Sequence, residues 1–288
     1  MPHVIHSARA SCEAPVWLPL IAVLIVFVYL RGWFRLKSSG SNALPVWRAA
    51  SLILGLLLAL AAVTSPLTAL DEGLLTGHMI QHLLLMTLAP PLLLLGAPVM
   101  ALFHGFPRSL VETAIGPIFR HKRLQQFGKT IGHPAFCWLA AAVTLVGWHV
   151  PAAFTLGLQS EAWHVIEHAS FFGTGLLFWW PVVQPWPSVP TWPQWSILLY
   201  LFLATLPCDV LSAFLVFSDR IAYPVYLSTP RQSGLSVLED QQCAGALMWT
   251  CVTVVYLVAG TILSTRLLSP QSNASISRPD SERVEIAL

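Results

Sequence analysis

Long runs of apolar residues, separated by short polar segments, make up most of the chain. A helix of about 20 apolar residues is long enough to cross the hydrocarbon core of a bilayer. Seven runs meet this requirement, at residues 15–33, 46–64, 77–103, 134–151, 162–183, 195–218 and 241–264. The third run contains Pro90, Pro91 and Pro98, which predicts a helix that is kinked or split. The pattern therefore predicts an all-α, polytopic integral membrane protein with seven transmembrane helices.

The composition agrees with this class and excludes several others. Hydrophobic residues make up 56% of the chain and charged residues only 10%, whereas a soluble domain carries about a quarter charged residues. The five cysteines form no C-x-x-C pair, so neither a disulfide framework nor a zinc finger is expected. Phosphate-binding loops, nucleophile elbows and H-E-x-x-H motifs are absent from the sequence.

The distribution of Lys and Arg predicts the orientation of the helices. Twelve of the 15 basic residues lie in or beside the loops after the first and third runs, or in the C-terminal stretch. Because positive residues accumulate on the cytoplasmic side, we expect the N-terminus outside and the C-terminus inside. We predict a periplasmic tail at 1–14, a seven-helix membrane domain at 15–268 and a disordered cytoplasmic tail at 269–288. The basic loops are explained by this topology, so the predicted partner is the lipid bilayer and no nucleic acid is expected.

Five of the ten histidines fall at one predicted level, near the outer ends of three helices. His78 and His82 open the third run, His149 closes the fourth, and His164 and His168 open the fifth. Residues four apart lie on the same helix face, about 6 Å apart along the axis. The segments "HMIQH" and "HVIEH" therefore each present two imidazoles, which suit copper, zinc, iron and nickel. This layer is the predicted metal site.

Other polar and sulfur-containing residues add to the predicted site. Gln81, Glu167 and Asp240 are placed to orient the imidazole rings or to act as ligands. Sulfur ligands, which would favour Cu(I), are also near, namely Met79, Met86, Cys208, Cys243 and Met248. Of these, Cys243 and Met248 lie at a similar depth on the seventh run.

Asp209 lies inside the sixth run, and an ionisable group at that depth is a candidate functional residue. Alternatively, it serves only to bond backbone amide groups freed by Pro207. The whole histidine layer likewise has a structural alternative, namely a polar network that pins the helices together.

Four stretches of the chain together resemble a known family. These are "HMIQHLLLMTLAPPLLLLGAP", "GWHVPAAFTLGLQSEAWHVIEHASFFGTGLLFWWPV", "YPVYL" and "EDQQCAGALMW". They resemble the membrane-type CtaG family of assembly factors for caa-type cytochrome c oxidases, over approximately residues 45–264. The positions that match the recurrent polar motifs of the family are His78, Gln81, His82, His149, His164, Glu167, His168, Asp240 and Gln241.

The resemblance implies a multi-pass protein of the bacterial plasma membrane that is needed to assemble the oxidase. Copper delivery is the expected role, so copper is the expected cofactor and the protein acts as a chaperone rather than as an enzyme. An oxidase subunit is the expected partner, and periplasmic copper chaperones are further candidates. Two other functions stay open. One is a haem-binding or diiron oxidoreductase, and the other is a proton-linked transporter with Asp209 and the histidine layer as its proton relay.

Overall fold

The computed structural model describes residues 17–38, 44–64, 73–185, 192–228 and 234–268. These residues are largely helical and contain no β-strand, which confirms the all-α prediction. The helices are α1 (Trp17–Ser38), α2 (Val46–Val63), α3 (Leu75–Leu95), α4 (Pro98–Gly105), α5 (108–120), α6 (Lys122–Ile131), α7 (Pro134–His149), α8 (Pro151–Gln159), α9 (Glu161–Val183), α10 (Gln194–Phe217) and α11 (Val237–Leu268). The predicted tails at 1–14 and 269–288 lie outside the described residues.

Five of these helices, α1, α2, α3, α10 and α11, are long and apolar enough to cross a membrane. The helix α7 has 16 residues and follows α6 at a bend of 61°, and counting this pair as one span gives six. The helix α9 is 23 residues long, but its glutamates and histidines lower its hydropathy. All seven predicted segments are thus helical, while seven crossings and the sidedness of the termini stay predictions.

The backbone of α3 changes its hydrogen-bonding pattern just before the Pro90-Pro91 pair, where Leu84–Leu88 form a π-helical turn. Proline has no N–H, so Pro90 deprives the Met86 carbonyl of its partner in an α-helix. The Trp179 side chain of α9 donates a hydrogen bond to that carbonyl, at 3.2 Å. A Cβ atom at Gly175 would lie 2.9 Å from the same carbonyl oxygen, so this glycine allows the close approach of α9.

The same apolar stretch is split a second time, between α3 and α4. Ala97 has a left-handed backbone (φ 47°), and Pro98 then begins α4. The Tyr29 hydroxyl of α1 donates to the Gly96 carbonyl at this break, at 2.8 Å. In addition, Gly32 of α1 packs so closely on α4 that a Cβ atom there would overlap a carbonyl oxygen. The kinked or split helix predicted from the prolines is therefore confirmed, and α1 holds it in place.

Large apolar side chains cover the outside of the described helices, as expected for contact with lipid. Val23 of α1, Phe202 and Val210 of α10 and Leu257 of α11 are all more than 60% exposed. The buried apolar core nearest the predicted histidine layer is shared by α3, α8, α10 and α11. The buried polar residues are concentrated on α3 and α9, together with the ends of α7 and α11. A polar interior is thus enclosed by an apolar exterior.

Candidate metal centre

Five histidines from three helices lie close together where α3 packs against α9 and the end of α7. His78 and His82 of α3 have ring centroids 4.2 Å apart, and His164 and His168 of α9 have centroids 4.1 Å apart. Across the interface, the centroids are 5.9 Å apart for His78 and His164 and 5.8 Å apart for His82 and His168. The ring of His149 lies 6.0 Å from that of His82. We call these five rings the imidazole cluster, and it brings together all five histidines singled out in the sequence.

Glu167 is the acidic group at the centre of the imidazole cluster. Its Oε1 atom lies 3.4 Å from Nε2 of His78 and 3.3 Å from Nε2 of His82. The ligand atoms of these three buried residues all lie within 4.8 Å of one another. An ion with bonds of about 2.0–2.1 Å to nitrogen and oxygen has tetrahedral edges of about 3.3–3.4 Å. The two separations from Glu167 are of this length, and the third pair of ligand atoms lies within 4.8 Å. We call these three residues the His–Glu site.

The His–Glu site is closed to solvent, so its charge has to be balanced locally. Glu167 and His78 are 0% exposed, and a buried carboxylate is costly unless a positive group compensates it. No lysine or arginine of the described residues pairs with Glu167; its ionic contacts are the two imidazoles of α3. Gly157 of α8 makes room for the carboxylate, because a Cβ atom there would lie 2.5 Å from Oε2. The balance therefore comes from protonated imidazole or from a bound cation.

Aromatic side chains form the walls of the site. Phe171 of α9 stacks on the His82 ring with centroids 4.0 Å apart, and Phe154 of α8 meets His78 edge to face at 4.9 Å. Both phenylalanines are buried and restrict the rotation of the imidazoles. Neither phenylalanine was predicted from the sequence. The spacing of three residues between His168 and Phe171 places both on one face of α9. This spacing is the sequence pattern from which Phe171 could have been predicted to lie at the site.

His149 is held at both of its ring nitrogens. Nδ1 lies 2.7 Å from the Leu145 carbonyl oxygen, which can only accept, so Nδ1 carries the proton. Nε2 lies 3.4 Å from the sulfur of Met79, a contact that the sequence analysis did not anticipate. The backbone carbonyl of His149 accepts a hydrogen bond from the Tyr223 hydroxyl, at 3.0 Å. This residue is therefore fixed in orientation, with Nε2 directed at a thioether.

Asp240 holds the start of the helix that carries two of the histidines. Its carboxylate accepts hydrogen bonds from the backbone N–H groups of Leu75 and Thr76, at 2.7 and 3.1 Å, and from the Thr76 hydroxyl, at 2.6 Å. The first N–H groups of a helix have no partner within the helix, and a carboxylate also interacts favourably with the helix dipole. Asp240 of α11 thus caps α3, and its role is to position that helix rather than to contact an imidazole.

Gln241 organises the segment between α10 and α11. Its Oε1 accepts from the Ala222 N–H at 2.7 Å, and its Nε2 donates to the Leu215 and Arg220 carbonyls at 3.3 and 3.2 Å. This segment carries Tyr223, whose ring stacks on Phe154 at 4.0 Å. Burial raises the pKa of the Tyr223 phenol, which keeps it a neutral donor. Gln241 therefore supports the site from a distance.

The remaining residues singled out in the sequence lie around the imidazole cluster. Gln81 is fully buried, and its amide nitrogen and oxygen have no hydrogen-bond partner in the described part of the chain. Asp209 is half-buried on α10 and does not belong to the His–Glu site. Cys243 is exposed on α11, whereas Met248 is buried and lines an internal cavity. Metal binding by any of these residues stays a prediction.

Comparison with known proteins gives two distant relatives. The chain is 23% identical over 257 residues to an uncharacterized protein of Mycobacterium bovis, and equally to one of Mycobacterium tuberculosis. The match covers 85% of this chain but only 37% of each relative, so the chain spans little more than a third of their length. No solved structure matches the chain.

One family model, described as cytochrome c oxidase caa3 assembly factor, matches residues 27–269. The match runs from the middle of α1 to the end of α11 and includes every residue of the imidazole cluster. It extends beyond the approximate range 45–264 over which the motifs resemble the CtaG family. The chain therefore belongs to the family of cytochrome c oxidase caa3 assembly factors.

Proposed function

We propose that this protein helps to assemble a cytochrome c oxidase by holding copper at the His–Glu site and passing it to an oxidase subunit. Membership of the assembly-factor family supports the role in oxidase assembly. Copper binding is supported by the ligand atoms of His78, His82 and Glu167, which lie within 4.8 Å of one another. This role requires no reaction on a substrate, so the protein acts as a metal chaperone and not as an enzyme.

The donor set suits copper and suits transfer. Copper binds nitrogen and oxygen ligands more tightly than the other divalent first-row ions do. Three protein ligands leave at least one position of a four-coordinate ion open. An open position lets a receiving ligand bind before a donating ligand leaves, so that the ion is never released into solution. A closed cage of four protein ligands would lack this property.

The second histidine pair provides a route into the His–Glu site. His164 is half-buried and His168 is 8% exposed, whereas His78 is fully buried. Each ring of the α9 pair lies within 6 Å of a ring of the α3 pair. Copper would enter from the predicted periplasmic side at His164 and move inward between neighbouring imidazoles. Periplasmic copper chaperones would supply the metal, and an oxidase subunit would receive it.

Copper titration of the purified protein tests the site. The double variant His78→Ala/His82→Ala should lose the copper ion that binds with high affinity. Losing even an outer partner of a metal ligand weakens binding by about 10- to 100-fold, and this variant loses two ligands. Glu167→Gln keeps the shape but removes the charge and should weaken binding in the same direction. His121→Ala is the matched control, since His121 is exposed and lies outside the imidazole cluster. Unchanged affinity and stoichiometry in the double variant would refute the site.

The role in assembly is tested separately, in cells that depend on this chain for oxidase assembly. The double variant should yield an oxidase with less copper per haem, while His121→Ala should yield a normal one. Measuring metal content in the purified oxidase distinguishes a defect in copper delivery from a general loss of enzyme. An oxidase with full copper content in the double-variant cells would contradict the delivery role.

Two observations bear on the haem and transporter alternatives. The Nε2 atoms of His78 and His82 face Glu167 at 3.4 and 3.3 Å, so in this arrangement they do not face a haem iron. An absorption spectrum without a Soret band in protein purified from haem-replete cells would agree. Asp209 stands apart from the His–Glu site, which gives a proton pathway through that residue no support. Transport assays in vesicles would check this point.

A further inference from the structure

The contact between His149 and Met79 joins two atoms that both carry lone pairs. Because Nδ1 of His149 donates to the Leu145 carbonyl, Nε2 of the neutral ring is an acceptor. The thioether sulfur of Met79, 3.4 Å away, is also only an acceptor. No hydrogen atom is available between them unless the buried ring becomes charged. A cation that binds nitrogen and sulfur would make the same contact favourable.

Further sulfur atoms line the cavity beside this contact. The cavity has a volume of about 40 Å³ and includes Met79, Met86, Cys208 and Met248 among its lining residues. Three of the five methionines of the chain therefore border one small internal space. A single water needs about 10–15 Å³ by this measure, so the space admits an ion. His82 and His149 also line the cavity, so it adjoins the His–Glu site.

We propose that His149 and Met79 begin a second metal site, specific for Cu(I), which the other sulfur atoms of the cavity complete. Thioether and thiol ligands select Cu(I) over harder ions. Bonds of about 2.0–2.1 Å to nitrogen and about 2.3 Å to sulfur, spanning the 3.4 Å separation, give an angle of about 100–105° at the metal, close to tetrahedral. This second site extends the proposed function to Cu(I). It depends on the proposed function only in taking copper as the metal.

The position of His82 connects this sulfur site to the His–Glu site. Its Nε2 lies 3.3 Å from Glu167, and its ring lies 6.0 Å from that of His149. One imidazole is therefore shared by a nitrogen and oxygen donor set on one side and a nitrogen and sulfur donor set on the other. Each site would hold copper of one oxidation state, Cu(II) at the His–Glu site and Cu(I) at the sulfur site.

The competing explanation is that these methionines only fill space, as methionine often does in a core. The variant Met79→Leu separates the two explanations, because a swap between leucine and methionine conserves volume and packing tolerates it. Met100→Leu is the matched control, since Met100 lies among side chains of the separate α1–α4 cluster. A packing role predicts the same behaviour for both variants.

The experiment measures binding of Ag(I), a redox-inert probe for Cu(I), and of Cu(I) against a competing chelator, to the full chain in detergent. Met79→Leu should weaken both by about 10- to 100-fold, as for the loss of a partner of a metal site, and Met100→Leu should not. X-ray absorption of the Cu(I) form should show sulfur neighbours that Met79→Leu reduces. Wild-type affinity in Met79→Leu, or no sulfur neighbour in the native protein, would overturn the proposal.

Titration with Cu(II) keeps this result separate from the proposed function. Cu(II) should bind Met79→Leu as it binds the native protein, because the His–Glu site is intact in that variant. If His78→Ala/His82→Ala loses Cu(II) while Met79→Leu keeps Ag(I), the sulfur site is wrong and the proposed function survives. The reverse pattern, with Ag(I) binding dependent on Met79 and Cu(II) binding independent of His78 and His82, would support the sulfur site and refute the His–Glu site.

Discussion

Removing the Asp240 carboxylate should destabilise the protein at the start of α3. Asp240 is 4% exposed and accepts three hydrogen bonds, from the N–H groups of Leu75 and Thr76 and from the Thr76 hydroxyl. Losing a helix cap costs about 0.5–2 kcal/mol, and each buried donor left unsatisfied costs about 1–3 kcal/mol. Only the Leu75 N–H is fully buried, so we expect Asp240→Ala to lower the free energy of unfolding by about 1.5–5 kcal/mol.

A more conservative substitution of Asp240 should lower the stability by less. Asp240→Asn keeps one acceptor oxygen but replaces the other by an N–H₂ group and removes the charge near the helix N-terminus. The lost charge costs about 0.3–1 kcal/mol and one unsatisfied donor about 1–3 kcal/mol, so the total should be about 1.3–4 kcal/mol and less than for alanine, which loses both acceptor oxygens. Asp219→Ala, at an exposed position between α10 and α11, is the control and should change stability by less than about 0.5 kcal/mol.

The assay is equilibrium unfolding in mixed detergent micelles, with helix content followed as the fraction of a denaturing detergent increases. The expected order of stability is native protein and Asp219→Ala first, then Asp240→Asn, then Asp240→Ala. Copper affinity should fall in the same order, because His78 lies one turn beyond the capped N–H groups. If Asp240→Ala unfolds at the same fraction of denaturing detergent as the native protein, Asp240 does not stabilise the start of α3.

Two further predictions concern contacts of α9. Gly157→Ala should weaken copper binding by about 10- to 100-fold with little loss of stability, because the added Cβ displaces only the Glu167 carboxylate. Gly147→Ala is the control, since a Cβ atom there has no other atom within 4 Å. Equal copper affinities for the two variants would contradict the prediction. Trp179→Phe should lower the free energy of unfolding by about 0.5–1.5 kcal/mol, because the part-buried Met86 carbonyl loses its donor. Detergent-induced unfolding at the native midpoint would contradict this prediction.

The sequence was informative about the helices and the histidine layer because both depend on local spacing. Apolar runs of about 20 residues define helices without knowledge of their neighbours. His78 and His82 share a helix face whatever the tertiary structure, as do His164 and His168. Placing both pairs at one level required only the order of the segments. The clustering of the five rings followed from these two steps.

The roles of the acidic residues could not be read from the sequence because they depend on contacts between distant segments. Glu167 and Asp240 were both expected to support the imidazoles, yet Glu167 contacts two of them while Asp240 caps α3. The partner of Asp240 is 165 residues away in the chain, and an acidic residue in the first turn of α11 looks the same whichever helix it caps. Met79 was missed as a partner of His149 because that contact depends on where α7 ends.

In the proposed function the imidazole cluster is a set of metal ligands, and the alternative raised by the sequence is a polar network that pins helices. The helix α3 is already held at its start by Asp240 and along its length by Trp179, which donates to Met86. A network that served to pin α9 would use short charge-assisted hydrogen bonds, of about 2.7–2.9 Å. The contacts of Glu167 with its two imidazoles are 3.3 and 3.4 Å long, which is longer than such bonds. A bound cation beside Glu167 would compensate the charge of this buried carboxylate.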